Sequence, residues 1–403
     1  MNSPLAVLRE FFQLGLTSFG GPTAHVAFFR ERFVEKKSWL SDREFADLLA
    51  LCQFLPGPAS SQLGLGIGWK QAGWAGAFCA WIGFTLPSAL VLAAFGVLVA
   101  SMGKGAIEAD AGWLRGLQIA VVAVIAGAVW SMGTKLCPDR PRRLIALVAA
   151  AVMLGFGIAW MQIVIIAVGA LLGWVLVKDA GATEHSDDSS ASKGATGRIA
   201  AIVCLALFAV LLIGLPLLQR VWPDCMVLGA FQAMYRSGAL VFGGGHVVLP
   251  LLSAEVVDPG WVSAQDFMAG YGAAQAVPGP LFTFSSYLGA VIDAPWNPWL
   301  MAGVCLIGIF LPAWLLVLGV MPFWDSVVRV PALRRALAGT NAAVVGLLGA
   351  ALYSPVWTGA IASSRDVIFL LGVSAALHVL KLPAWLVVIL AGGAGWLVFG
   401  VLS

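Results

Sequence analysis

Long apolar stretches separated by short polar ones set the rhythm of the chain. Runs near 71–101, 113–134, 144–177, 199–218, 226–252, 299–320, 336–352 and 367–402 are each long enough, or nearly so, for one or two crossings of a ~30 Å hydrocarbon layer. The ~10-residue alternation of a membrane β-strand is absent from these runs. The pattern therefore predicts an all-α polytopic membrane protein. Two further apolar segments are broken from within: "TSFGGP" at 17–22 divides the first, and "QFLPGPASSQ" at 53–62 divides 44–69. Proline removes a backbone donor and disfavours helix in the residue before it. Each leg beside PGP is then about half a membrane long, which predicts a re-entrant hairpin, with a kinked spanning helix as the alternative.

The breaks recur. Sliding the chain against itself by 222 residues aligns "WLSDREFADLLALCQFLPGP" (39–58) with "WVSAQDFMAGYGAAQAVPGP" (261–280). With small shifts, "SFGGPTAHV" matches "VFGGGHVVL", and "IGFTLP" matches "IGIFLP". A duplication explains all three matches. It divides the chain into a first repeat, 1–177, and a second, 222–403. Between them lie the polar linker 178–198, whose composition reads as disordered, and one unpaired apolar segment, 199–221.

An unpaired crossing between two similar halves predicts that the second enters the membrane from the opposite side. Loop charges agree with inversion, because basic residues concentrate on the cytoplasmic side. The segment 30–43 holds five Lys or Arg where its counterpart 253–265 holds none, and 135–143 holds four against one in 353–366. The bias reverses for 102–112, with one, and 321–335, with three. If 30–43 and 135–143 are both cytoplasmic, one of the three apolar segments between them must return to its own side, and 44–69 with its PGP is the candidate. This orientation places the N-terminus and the linker in the cytoplasm.

Composition sharpens the class. Hydrophobic residues make up 60% of the chain and charged ones 11%, with 17 Trp and a mean hydropathy of +0.93, far from the balance of a soluble domain. The net charge of +3 is accounted for by topology determinants and suggests no nucleic acid. Arg9 and Glu10 interrupt the N-terminal apolar run, which argues against a cleaved signal peptide. The six cysteines have no CxxC spacing and the four histidines no HxxxH or HExxH spacing, so neither metal chemistry nor a cofactor is expected. Paired acids or a Ser/Lys arrangement within the spans are likewise missing, which disfavours an intramembrane enzyme.

The F-GGP element, the W-S-D/E-F stretch leading into Q-PGP and the apolar helix ending in LP, all present twice, resemble the chromate ion transporter family of bacterial membrane proteins in its long, duplicated form. The resemblance covers nearly the whole chain outside the linker. It implies secondary transport in the bacterial inner membrane: proton-motive-force-linked efflux of chromate that confers resistance. Sulfate or another oxyanion is the alternative cargo, a non-transporting assembly subunit is a more distant one, and a homodimer is compatible with either.

Chromate is a tetrahedral dianion, and a broken helix suits such a group: a new N-terminus exposes backbone N–H groups and the positive end of a dipole. The candidate substrate-binding residues are therefore Gly20, Gly21, Gln53, Pro56, Gly57, Pro58, Ser60 and Ser61 in the first repeat. Their counterparts are Gly243, Gly244, Gln275, Pro278, Gly279, Pro280 and Thr283 in the second. Pro58 and Pro280 are expected at the first helical position, with Gln62, Ser285 and Ser286 beside them. Kinking and tight packing account for the same glycines and prolines equally well. Arg236, inside an apolar segment, either complements the dianion, pairs with an acid or snorkels to an interface; its counterpart is Gln13. His25, Glu44, Asp47, His246 and Asp266 are candidates for carrying a coupled proton, against capping or structural roles. Gly245 and His246 stand where the first repeat has Pro22 and Thr23, so the two copies need not contribute equally.

Overall fold

Serine caps mark where the helices begin. Ser41 accepts from the Glu44 amide while Glu44 reaches back to the Ser41 N–H, a full capping box; Ser263 and Asp266 repeat the cap in the second half. The computed structural model describes residues 2–101, 112–156, 161–177, 195–242, 245–324 and 330–401, and these are helical throughout, with no strand among them. The first repeat contributes α1 (Pro4–Thr17), α2 (Gly21–Arg30), α3 (Asp42–Phe54), α4 (Ala59–Ser101), α5 (Gly112–Leu136), α6 (Arg140–Phe156) and α7 (Met161–Leu176). Then come α8 (Ala195–Val221), α9 (Met226–Leu240), α10 (Val248–Val256), α11 (Ala264–Ala276), α12 (Phe284–Val291), α13 (Pro298–Val320), α14 (Pro331–Ala351), α15 (Ser364–Ser374) and α16 (Ala384–Gly395).

In this order α9–α16 answer α1–α7 one for one, once α4 is divided at Ala72 and Gly73, where the backbone leaves the helix. The leg 59–71 then corresponds to α12 and the leg 74–101 to α13. Helix α8 has no counterpart. One face of it stands exposed, with Ile199, Val210 and Ile213, as suits a helix in lipid, while Ala201, Cys204 and Leu215 are buried against the protein. It begins at Ala195, so the last four residues expected in the linker are helical; 178–194 lie outside the described residues, as do 102–111.

The protein is a multi-pass membrane protein. Helices α4, α5, α13 and α14, together with Arg198–Val221 of α8, are long and apolar enough to cross a membrane. Helix α3 and the leg 59–71 rise about 20 Å each at 1.5 Å per residue, too little to cross. They form a hairpin whose open end is tied by Lys70 and Glu44, 3.1 Å apart. The α1–α2 pair returns to the same end, because Asn2 donates to Gln71 (2.7 Å) and Gln71 to the Trp39 carbonyl (2.9 Å). At the first PGP the chain thus turns back on itself, and the far ends of its two legs lie side by side.

The repeats are interleaved rather than set side by side. Helix α5 packs on α15 and α16, while its counterpart α14 packs on α6 and α7. Glycine makes both crossings close: a Cβ on Gly116 would come within 2.1 Å of the Ala391 carbonyl, and one on Gly339 within 2.1 Å of the Gly169 carbonyl. Small residues at such crossings replace the hydrophobic drive that lipid does not supply. Helices α4 and α13, also counterparts, lie against each other in opposite directions: Trp81 meets Trp314, whereas Ala93 clusters with Ala302.

Candidate functional site

Proline dictates the centre. Leu55 and Val277, each before the first proline of PGP, are extended, as the proline ring requires. The following Gly57 and Gly279 take φ of +123° and +105°, which only glycine adopts without strain. Pro58 and Pro280 sit one position earlier than expected, as the residues preceding the helical turns at Ala59 and Leu281.

These turns are built across the repeats. The Gly57 N–H donates to the carbonyl of Val241, just before the second FGG, at 2.7 Å, and the Gly279 N–H donates to that of Ser18, just before the first, at 2.9 Å. Each PGP therefore closes on the other repeat's FGG. The FGG segments meet each other as well, a Cβ on Gly245 coming 3.3 Å from Cγ of its counterpart Pro22. Gly20 and Gly21 are left-handed; Gly243 and Gly244 lie outside the described residues. A buried N–H left unpaired costs about 1–3 kcal/mol, so these two bonds tie the halves together at the turns.

Polar side chains follow the same path. His25 is buried, with Nε2 3.2 Å from the Ser18 carbonyl and Nδ1 3.2 Å from Ser60 Oγ. A chain of polar contacts thus runs Gly279, Ser18, His25, Ser60 and joins the two hairpins. Buried polar atoms stand without hydrogen-bond partners at Ser18 Oγ, Ser61 Oγ, Gln62 Oε1 and Gln275 Nε2, all within five residues of a PGP or FGG glycine, and at Thr85 Oγ1 on α4. Leaving such a group unsatisfied costs about 1–3 kcal/mol. The three hydroxyls and Gln275 Nε2 are donors suited to a tetrahedral oxyanion, whereas Gln62 Oε1 is an acceptor.

The two copies differ. Gln62 spans the first turn, donating from Nε2 to the Pro56 carbonyl at 2.7 Å. In the second copy Thr283 donates to the Pro280 carbonyl and Ser285 to the Phe282 carbonyl, so those hydroxyls are spent on their own backbone. Gln53 is exposed while Gln275 is half-buried. His246 meets the Tyr271 hydroxyl at 2.8 Å. Glu44 and Asp266 are engaged as caps, and Asp47 is half-buried one turn beyond Glu44. Arg236 pairs with an acid, Glu255 of α10, its Nε 2.6 Å from Oε1. Ser18 and Thr85 escaped the sequence reading; Ser18 had a signal, a hydroxyl residue directly before FGG, and Thr85 had none beyond its place in "IGFTLP".

The model of the chromate transporter family matches the chain twice, over residues 5–174 and 228–396. A chromate transport protein of Pseudomonas aeruginosa is 31% identical over 98% of this chain and 92% of its own length. One of Cupriavidus metallidurans is 25% identical over 87% and 83%. An uncharacterised transporter of Methanocaldococcus jannaschii is 26% identical over 86% and 83%. No solved structure matches the chain.

Proposed function

The chain belongs to the chromate transporter family, and on that premise we propose that it exports chromate from the cytoplasm, driven by the proton motive force, and so confers chromate resistance. The observation that carries the substrate site is the lattice of cross-repeat bonds at Gly57 and Gly279 with unpartnered donors along it. The dianion sits there, near the midplane, held by the hydroxyls of Ser18, Ser61 and Thr85 and the amide of Gln275. The N-termini of the leg 59–71 and of the turn before α12 add their dipoles. Dipoles and hydroxyls stabilise the dianion without burying a full set of countercharges.

The halves are an inverted repeat in the bilayer. The opposite directions of α4 and α13 support this reading, as do the loop charges. The basic segment 30–43 then faces the cytoplasm with the N-terminus and the linker, in the bacterial inner membrane, and α8 carries the chain across so that the second repeat enters from the opposite side. Alternating access follows from movement of one interleaved set of helices against the other. His25 is our candidate for the coupled proton, because it alone of the titratable candidates touches both Ser18 and the first hairpin.

Labelled chromate uptake into everted vesicles, with and without a proton gradient, tests this. Gradient-dependent uptake well above that of vesicles lacking the protein is expected. Uptake equal to those vesicles overturns the export reading. Sulfate, a dianion of the same shape, is the second reading, and stronger competition by sulfate than by unlabelled chromate would favour it.

A further inference from the structure

Arg236 and Glu255 occupy the same two places in the second repeat that Gln13 and Arg32 occupy in the first, and both pairs are hydrogen-bonded. Arg32 donates from one terminal nitrogen to Gln13 Oε1 at 2.6 Å and from Nε to Glu10, which also lies 3.0 Å from Lys37. Arg236 grips Glu255 with two nitrogens. Each guanidinium–carboxylate pair bridges the two legs of an FGG hairpin. Gln13 and Arg236 each stand five residues, about 7.5 Å of helix, before the carbonyl that receives the other repeat's PGP glycine. The carboxylates are nearly enclosed, at 11% exposure for Glu10 and 13% for Glu255. The polarity has been exchanged between the legs, but the closure is the same.

Space lies behind the second pair. A cavity of about 20 Å³, room for about one water, is lined by Arg236, Glu255, Gln162 and Ser237, and the Ser237 hydroxyl there is fully buried without a partner. Gln162 also borders a second cavity of about 200 Å³ between α6, α10 and α14. Asp258, exposed in the loop after α10, lines that cavity too. Gln162 thus lines both the cavity beside the exposed Asp258 and the one behind the ion pair.

We propose that Arg236–Glu255 and Glu10–Arg32 are the two gates of the transporter, one toward each face, and that the oxyanion passes by taking the carboxylate's place on the guanidinium. Arginine suits this exchange because its planar fork binds carboxylate and tetrahedral oxyanions with the same paired N–H groups. Both gates are shut in this structure. The proposal rests on the transport reading above for its cargo, but the gates themselves are tested without any cargo.

The equivalent positions Ser237 and Leu14 serve as reporters. Ser237→Cys and Leu14→Cys, in a background with Cys79→Ala and Cys225→Ser, are exposed to a membrane-impermeant thiol reagent in whole cells and in everted vesicles. Slow labelling is expected from both faces. Adding Glu255→Gln should speed labelling at position 237 at least fivefold from the outer face only, and adding Arg32→Gln should do so at position 14 from the cytoplasmic face only. Exchanging the pair, Arg236→Glu with Glu255→Arg, should return slow labelling. If Glu255→Gln fails to reach the membrane, the double variant Arg236→Gln, Glu255→Gln, which leaves no buried charge unpaired, gives the same readout. Unchanged labelling, faster labelling from the wrong face, or no restoration by the exchange overturns the gates. Side-specific labelling together with absent chromate uptake would instead reject the proposed cargo and leave the gates standing.

Discussion

The two PGP hairpins share a backbone and differ in side chains. Gly57 and Gly279 have the same left-handed conformation and the same kind of bond to the opposite repeat. Yet the first hairpin leaves Ser61 and one end of Gln62 unpartnered, whereas the second turns Thr283 and Ser285 back onto their own helix. Duplication kept the backbone closure and changed the side chains beside it. Symmetry here belongs to the scaffold, and the hydroxyls around it are asymmetric.

The strongest way to break that comparison is at the glycines. Gly57→Ala and Gly279→Ala each force a Cβ to 2.7 Å, from Gln62 Nε2 and Ser88 Oγ respectively, at a φ that costs about 1–3 kcal/mol for a residue with a side chain. Both should lower the melting temperature in detergent and abolish transport to a similar degree. A large effect at one and none at the other would refute the shared scaffold.

A smaller and unequal effect is expected at the hydroxyls. Ser61→Ala removes a donor to the anion, worth about 1.5–3 kcal/mol when the partner is charged, so labelled chromate binding should weaken about 10- to 150-fold. Ser285→Ala should leave binding within about twofold, since its hydroxyl serves the Phe282 carbonyl with a net value of about 1 kcal/mol to the fold. Equal losses in the two variants would make the site symmetric. Smallest is the glutamine pair: Gln275→Leu should weaken binding severalfold, and Gln53→Leu, an exposed position, should change it by less than the error of the measurement.

Much of this was legible along the chain. Helix starts at Ser41 and Ser263, the breaks at PGP and the one-for-one order of elements all follow from local rules, because caps and prolines act on their immediate neighbours. The unequal FGG elements were visible too, as Pro22 against Gly245. Roles that depend on a distant partner were not. Gln53 and Gln275 look alike in the sequence, but packing leaves one exposed and half-buries the other. Arg236 was open in the sequence to three roles, and α10 decided for the acid partner by bringing Glu255, nineteen residues on, against it.

The sequence by itself determined that this protein is helical, membrane-embedded, duplicated and broken at four matched places, since hydropathy, periodicity and backbone chemistry are properties of short stretches. Tertiary structure alone decided that each break closes on the opposite repeat, that α5 and α14 exchange partners, and that Ser61 stays open while Thr283 and Ser285 do not. The reason is physical. In the dry interior every buried N–H must find an acceptor, and which carbonyl or carboxylate lies within 3 Å is set by how the helices pack, not by what stands next in the chain.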